Sequence, residues 1–140
     1  MKKRVLVLCT GNSCRSQMAE AIINGQRGGA WEAFSAGTKP AAVVHPRAIE
    51  ALEEINIHAD GLEPKSVDVF KGHQFDLVIT VCDDAAEHCP VWLGQGKRAH
   101  VAFPDPAKAT GTDDEIMAAF RDVRNGIVAR ILPLLDDSTV

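Results

Sequence analysis

The 140-residue sequence contains no tyrosine, and aromatic residues make up only 5% of it. No apolar run approaches the roughly 20 residues that a membrane-spanning helix needs. The five apolar residues that follow the amino-terminal Met-Lys-Lys-Arg are too few for a signal peptide. The formal net charge of −4 gives no reason to expect nucleic acid or an anionic membrane as a partner. We therefore expect a cytoplasmic protein that binds neither.

Cysteine is also scarce. The four cysteines are Cys9, Cys14, Cys82 and Cys89. In a chain without an export signal, such residues are expected to be reduced thiols used in chemistry or metal binding, not a disulfide scaffold. The length and the 46% hydrophobic content fit one buried core. We expect residues 1–140 to form a single domain and the protein to be a monomer.

Apolar runs and helical spacings alternate along the chain. Short apolar runs predict strands at Val5–Leu8, Ala33–Ala36, Phe75–Val81 and Ala99–Phe103. Helical spacing predicts a first helix from Arg15 to about Gln26 and a short one over Val67–Lys71. A helix should also begin at His45-Pro46, with the apolar stripe Ile49, Leu52 and Ile55. The last helix should begin at the capping box of Thr112 and Glu115 and continue through Ile131. This pattern predicts an α/β three-layer sandwich, with a central parallel sheet of about four strands flanked by helices.

The loop Cys9–Ser16 follows the first predicted strand and reads Cys-Thr-Gly-Asn-Ser-Cys-Arg-Ser. Loop N–H groups and the start of the next helix can bind a tetrahedral oxyanion, and Arg15 can add a two-pronged donor. The same field favours the thiolate form of Cys9, and Ser16 can hydrogen-bond its sulfur. The expected oxyanion-binding residues are Thr10, Gly11, Asn12, Ser13, Cys14 and Arg15. A nucleotide-binding loop is disfavoured because its second glycine and its lysine are missing.

Extended by Gln-Met-Ala-Glu, this stretch resembles the opening of the arsenate reductases built on the low-molecular-weight protein tyrosine phosphatase fold. The resemblance continues through Phe34-Ser35-Ala36-Gly37, His45-Pro46, Val81-Cys82-Asp83 and Phe103-Pro104-Asp105-Pro106-Ala107. It implies a low-molecular-weight phosphatase-like fold and the reduction of arsenate to arsenite for arsenic detoxification. Arsenate would be the substrate, with phosphate or sulfate as analogues.

The resemblance also assigns the acid of the reaction. Asp105, taken alone, is an ordinary loop aspartate before a turn. In this family the aspartate of the Asp-Pro pair is the general acid that protonates the leaving oxygen. Pro106 would hold Asp105 extended, and Pro104 would stiffen the loop further.

The residues themselves leave Cys82 and Cys89 open to several interpretations. They could be unrelated thiols, metal ligands or a redox pair, although the six residues between them exceed the usual zinc spacing. Resemblance to the thioredoxin-coupled arsenate reductases places the second and third redox cysteines of that family on Cys82 and Cys89. It implies an external dithiol reductant, thioredoxin or a similar protein. We expect no metal and no tightly bound cofactor.

Three residues match a cation site that supports the loop in some relatives, and a fourth departs from it. Asn12, Glu20 and Ser35 match its positions, but the remaining acidic ligand falls on Lys65. We expect the Lys65 ammonium to replace the potassium ion and activity to be insensitive to potassium. Cys14 is expected to be structural, contributing its backbone N–H and not its sulfur.

Two other functions compete with arsenate reduction. A low-molecular-weight protein tyrosine phosphatase would use the same loop to hydrolyse phosphate monoesters through a phosphocysteine intermediate. The absence of tyrosine, with Ala107 after the Asp-Pro pair, argues against a site that grips a phenyl ring. The third function is a thiol-based zinc-binding or redox-sensing module without turnover.

Overall fold

The computed structural model describes residues 2–83 and 96–136. Four parallel strands form one sheet in the order β2-β1-β3-β4. The strands are β1 (Lys3–Cys9), β2 (Trp31–Gly37), β3 (Leu77–Thr80) and β4 (Lys97–His100). The helices are α1 (Arg15–Gln26), α2 (Pro46–Glu53), α3 (Asp113–Arg130) and α4 (Leu132–Asp136), with 3-10 helices at Val67–Phe70 and Pro106–Lys108. The predicted α/β fold with a parallel sheet is confirmed.

The sheet is buried on both faces around β1, whose residues 5–8 have no exposed surface. Side chains alternate between the two faces of a strand. Val5 and Val7 therefore join the larger core, to which α1–α4 contribute, while Leu6 and Leu8 pack with Phe70 and Phe75 on the other face. This burial explains why β1 reads as an uninterrupted apolar run.

The helix starts agree with the sequence signals. α1 begins at Arg15, as predicted. His45 caps α2, its Nδ1 accepting the Arg47 N–H, and the capping box of Thr112 and Glu115 opens α3. The helix predicted through Ile131 ends one residue earlier, at Arg130, and the short helix α4 that follows it was not predicted.

The predicted bounds of three other elements were too broad or shifted. The fourth strand, expected at 99–103, runs from Lys97 to His100. Three of its four residues are exposed because β4 is an edge strand, so its sequence lacks an apolar pattern. β3 is shorter than the predicted range 75–81, and Ile55 lies beyond the end of α2. Within residues 2–83 and 96–136, no helix is both long enough and apolar enough to cross a membrane.

Candidate active site

The loop between β1 and α1 brings Cys9 and Ser16 together at the carboxyl edge of the sheet. Cys9 Sγ lies 2.8 Å from Ser16 Oγ, and the Asn12 backbone N–H donates to the same sulfur at 3.2 Å. All three residues are buried, with Cys9 2% exposed. The thiol therefore sits at the base of the loop, where hydrogen bonds from two directions can stabilise a thiolate.

Asn12 is the internal brace of this loop. It is fully buried and has a φ of 48°, a left-handed conformation that asparagine tolerates better than most residues. Its Nδ2 donates to Ser16 Oγ at 2.7 Å, and its Oδ1 accepts the Lys65 backbone N–H at 2.8 Å. Gln17 Nε2 donates to the same Oδ1 at 2.9 Å and to the Glu63 carbonyl at 2.8 Å.

Sequence reasoning missed Gln17, which is fully buried and ties the loop to the segment before Lys65. The sequence did contain a signal for this role, because Gln17 is a polar residue among the apolar residues that α1 buries.

Gly37 allows β2 to end against the loop. A Cβ at this position would lie 2.4 Å from the Thr10 carbonyl oxygen and 3.0 Å from the Asn12 nitrogen. Real side-chain carbons do not come this close to backbone, so the position requires glycine. The sequence had pointed to Gly37 only as part of the stretch Phe34-Ser35-Ala36-Gly37 that carries the family resemblance, and not as a contact of the loop.

The segment after β2 runs beside the loop and bonds its carbonyls. Backbone N–H groups of Lys39, Ala41 and His45 donate to the carbonyls of Thr10, Gly11 and Ser13 at 3.0, 2.9 and 3.0 Å. These hydrogen bonds tie three carbonyl groups of the loop to the segment after β2. They fix the conformation of the loop's backbone.

Arg15 and Asp105 meet at the mouth of a small cavity above Cys9. Arg15 is 3% exposed, its Nη1 donates to the Phe103 carbonyl at 3.1 Å, and its Nη2 lies 3.9 Å from Asp105 Oδ2. Asp105 Oδ1 accepts the Ala107 N–H at 3.0 Å. The cavity, about 60 Å³, is lined by loop residues, Asp105 and Ala107. A cavity of this size can bind one small oxyanion, with the Arg15 guanidinium and the Asp105 carboxyl group beside it.

Cys14 also lines this cavity, but its sulfur is unsuited to nucleophilic chemistry. Burial, with a smaller contribution from Asp105, raises the pKa of the Cys14 thiol to about 12. The thiol therefore stays protonated at neutral pH.

Cys82 lies just beyond β3, the strand next to β1, and is fully buried. Its Sγ is 3.9 Å from the carbonyl oxygen of Leu8, the residue before Cys9. No disulfide joins Cys9, Cys14 and Cys82 to one another. The other predicted redox residue, Cys89, lies outside the described residues.

The predicted cation-site remnant is assembled around Glu20. Ser35 Oγ donates to Glu20 Oε1 at 2.8 Å, and Lys65 Nζ lies 3.8 Å from the same oxygen. Burial raises the pKa of Glu20, while the Lys65 charge and the Ser35 hydroxyl act in the opposite direction. Lys65 Nζ also donates to the Glu63 carbonyl at 2.8 Å. Among residues 2–83 and 96–136, no three His, Cys, Asp or Glu side chains gather as a metal site.

A parallel α/β sheet with a Cys-x5-Arg-Ser loop at its carboxyl edge and an Asp-Pro loop facing it defines a class of cysteine-dependent oxyanion enzymes. Residues 4–137 match the family described as low molecular weight phosphotyrosine protein phosphatase. The chain is 45% identical over 130 residues to the arsenate reductases of Halalkalibacterium halodurans and Bacillus licheniformis, covering 93% of each chain. It belongs to the low molecular weight phosphotyrosine protein phosphatase family.

Solved structures give the same fold. An arsenate reductase in the phosphate binding state superposes with a TM-score of 0.73 at 28% identity, covering 96% of this chain and 97% of the other. The thioredoxin-dependent arsenate reductase of Corynebacterium glutamicum superposes with a TM-score of 0.66 at 25% identity. The match covers 97% of this chain and 64% of the other. A low molecular weight protein tyrosine phosphatase from T. tengcongensis superposes with a TM-score of 0.74 at 24% identity. The match covers 96% of this chain and 99% of the other.

Proposed function

We propose that this protein is an arsenate reductase that uses Cys9 as its nucleophile. The observation that carries the proposal is the pairing of two thiols at neighbouring strand ends: Cys9 inside the oxyanion loop and Cys82 just beyond β3. A phosphatase needs only the first thiol. Relatives named arsenate reductases, 45% identical over 93% of the chain, support the same reaction.

The first step is attack on arsenic. The Cys9 thiolate forms a sulfur–arsenic bond while the loop N–H groups and Arg15 hold the remaining oxygens. Asp105 gives its proton to the departing oxygen, which leaves as water. Ser16 Oγ lies 2.8 Å from the sulfur and supports this step by donating a hydrogen bond to the thiolate, which can only accept.

The second step supplies two electrons. The Cys82 thiolate attacks the Cys9 sulfur, a disulfide forms, and the sulfur–arsenic electron pair passes to arsenic, which leaves as arsenite. Cys89 then attacks Cys82, releasing the Cys9 thiolate and moving the disulfide to Cys82–Cys89. An external dithiol reduces that disulfide by two further exchanges.

We infer that the reductant is thioredoxin or a similar dithiol protein, because the Corynebacterium glutamicum neighbour is thioredoxin-dependent. A relay that ends in a reducible disulfide operates in a reducing compartment, which favours the cytoplasm. The relay itself needs no tightly bound cofactor and one chain supplies all three thiols, consistent with a monomer.

Phosphate-ester hydrolysis is the second candidate function, because the loop, Arg15 and Asp105 suit both reactions. The cavity of about 60 Å³ has Ala107 at its edge, where a phosphatase of this fold would need an aromatic side chain to hold a phenyl ring. We therefore expect only weak hydrolysis of an aryl phosphate.

The deciding experiment is arsenate-dependent NADPH oxidation coupled through thioredoxin and thioredoxin reductase. Cys9→Ser, Cys82→Ser and Cys89→Ser are each expected to abolish turnover, while Cys14→Ser serves as the matched cysteine control and keeps most of it. Parent-like turnover in Cys82→Ser or Cys89→Ser would refute the relay. If the protein purified under reducing conditions holds one tightly bound zinc per chain, a thiol-based zinc-binding module would be favoured instead.

A further inference from the structure

α3 contacts the oxyanion site indirectly, through the segment that precedes Asp105. The Phe103 ring is buried against Gly126, where an added Cβ would lie 2.7 Å from ring Cε1. One helical turn further on, the guanidinium carbon of Arg130 lies 4.8 Å from the ring centre, and Arg130 Nη1 donates to the Ala102 carbonyl at 3.1 Å. Residues 126 and 130 share one face of α3. This face therefore contacts two consecutive residues of the segment, Ala102 and Phe103.

The other side of the same segment holds the groups of the site. The Phe103 carbonyl accepts from Arg15 Nη1 at 3.1 Å, and Asp105 follows two residues later, with its Oδ2 3.9 Å from Arg15 Nη2. Because Arg15 is 3% exposed, its guanidinium has little room to turn independently of that carbonyl. A displacement of Phe103 therefore moves the acceptor that orients Arg15 and the backbone that carries Asp105.

We propose that Gly126 and Arg130 are positioning residues for the oxyanion site, acting through Phe103. A guanidinium gives two parallel hydrogen bonds to an oxyanion only when its plane is correctly turned. A misplacement of about 1 Å is enough to lower the rate strongly. The inference depends on the role of Arg15 as oxyanion ligand in the proposed function, and it gives α3 a part in oxyanion binding without contact with the substrate.

The test uses Gly126→Ala with Gly25→Ala as its matched control. Both glycines lie in helices, so both gain the same helix propensity. A Cβ at Gly25 would lie 2.6 Å from Ile57 Cδ1, a contact as short as the one at Gly126 but made with a residue outside the oxyanion cavity.

The readout is the inorganic phosphate concentration that half-protects Cys9 from iodoacetamide, followed by mass spectrometry of the Cys9 peptide. We expect that concentration to rise about tenfold in Gly126→Ala, the loss expected for one charged hydrogen bond. We expect no change in Gly25→Ala.

Two further variants show whether the effect passes through Phe103. Phe103→Leu combined with Gly126→Ala makes room for the new methyl group and should restore phosphate protection to the level of Phe103→Leu alone. Arg130→Met removes the donor to the Ala102 carbonyl and should weaken protection severalfold, which keeps the test decisive if Gly126→Ala does not fold.

Parent-like protection in both Gly126→Ala and Arg130→Met would overturn the proposal, and so would parent-like protection in Arg130→Met alone if Gly126→Ala does not fold. A double variant as weak as Gly126→Ala and weaker than Phe103→Leu would overturn it as well. The phosphate readout needs no turnover, so it is independent of arsenate reduction. A parent protein that forms no arsenite while Gly126→Ala weakens phosphate protection would refute the proposed function and support the positioning role.

Discussion

Asn12 donates its side-chain amide to Ser16 Oγ at 2.7 Å, and the same oxygen lies 2.8 Å from Cys9 Sγ. A thiolate has no hydrogen to give, so the serine hydroxyl donates to Cys9 Sγ whenever that sulfur is ionised. Ser16 is thus a donor to the sulfur. Such a bond favours the thiolate, since a negative sulfur is the stronger acceptor.

Ser16→Ala should therefore slow the reaction of Cys9 with iodoacetamide at pH 7 about tenfold, the loss expected for one hydrogen bond to a charged group. Ser13→Ala is the control, because that serine lies in the same loop but its Oγ donates to the Val43 carbonyl. Equal alkylation rates in the parent and Ser16→Ala would contradict this direction of donation.

Gly37→Ala should both destabilise the fold and impair the site. The added methyl group meets the backbone of Thr10 and Asn12, so either β2 or the loop must move. Overpacking of this kind costs about 1–3 kcal/mol, which a shift of the urea midpoint measures. The same variant should require more phosphate to protect Cys9 from alkylation.

Gly29→Ala is the matched control for that substitution, because nothing lies within 4 Å of a Cβ at Gly29. We expect it to keep both the urea midpoint and the phosphate protection of the parent. Parent-like behaviour of Gly37→Ala would mean that the loop accommodates the methyl group at no cost.

The sequence predicted the parts of the site that are local. Cys9, Arg15 and Ser16 lie within one strand–loop–helix unit, and their spacing between that strand and that helix predicts a site for an oxyanion. The supports of that unit were not predictable because they come from distant segments. The contact of Arg15 with the Phe103 carbonyl spans 88 residues, and the close approach of Gly37 to the loop depends on the pairing of β2 with β1. The edge strand β4 was misplaced for a similar reason, since an exposed strand has no apolar pattern to detect.

Glu54 should make the fold sensitive to acid. Hydrogen bonds from Arg121 and Arg124 lower the pKa of Glu54 from 4.5 to about 2. A lowered pKa in the folded state adds stability that is fully present above the unfolded value and is lost as pH falls through the folded one. The affected window is therefore about pH 4.5 down to pH 2.

Glu54→Gln should consequently lower the urea midpoint at pH 7 and narrow the difference between the midpoints at pH 7 and pH 3. Glu53→Gln, a change at the exposed neighbouring carboxylate, is the control and should leave that difference as in the parent. An unchanged pH dependence in Glu54→Gln would show that the ion pairs with Arg121 and Arg124 contribute no net stability.

Lys65 should make activity independent of potassium. Its ammonium lies 3.8 Å from Glu20 Oε1, and its backbone N–H donates to Asn12 Oδ1. A positive charge is thus already present beside the half-buried Glu20 carboxylate, which also accepts the Ser35 hydroxyl. Exchanging sodium for potassium should leave kcat/KM for arsenate unchanged in the parent.

Lys65→Ala removes that charge and leaves Glu20 without its nearest cation, so kcat/KM should fall by about fivefold, the scale of a partly exposed ion pair that contributes about 1 kcal/mol. Part of the loss should return in potassium and not in sodium, because a monovalent cation can then approach the carboxylate. Lys71→Ala is the control, since that exposed lysine pairs with Asp68, three residues before it in the chain. A parent enzyme that is accelerated by potassium would show that the Lys65 ammonium does not replace the ion.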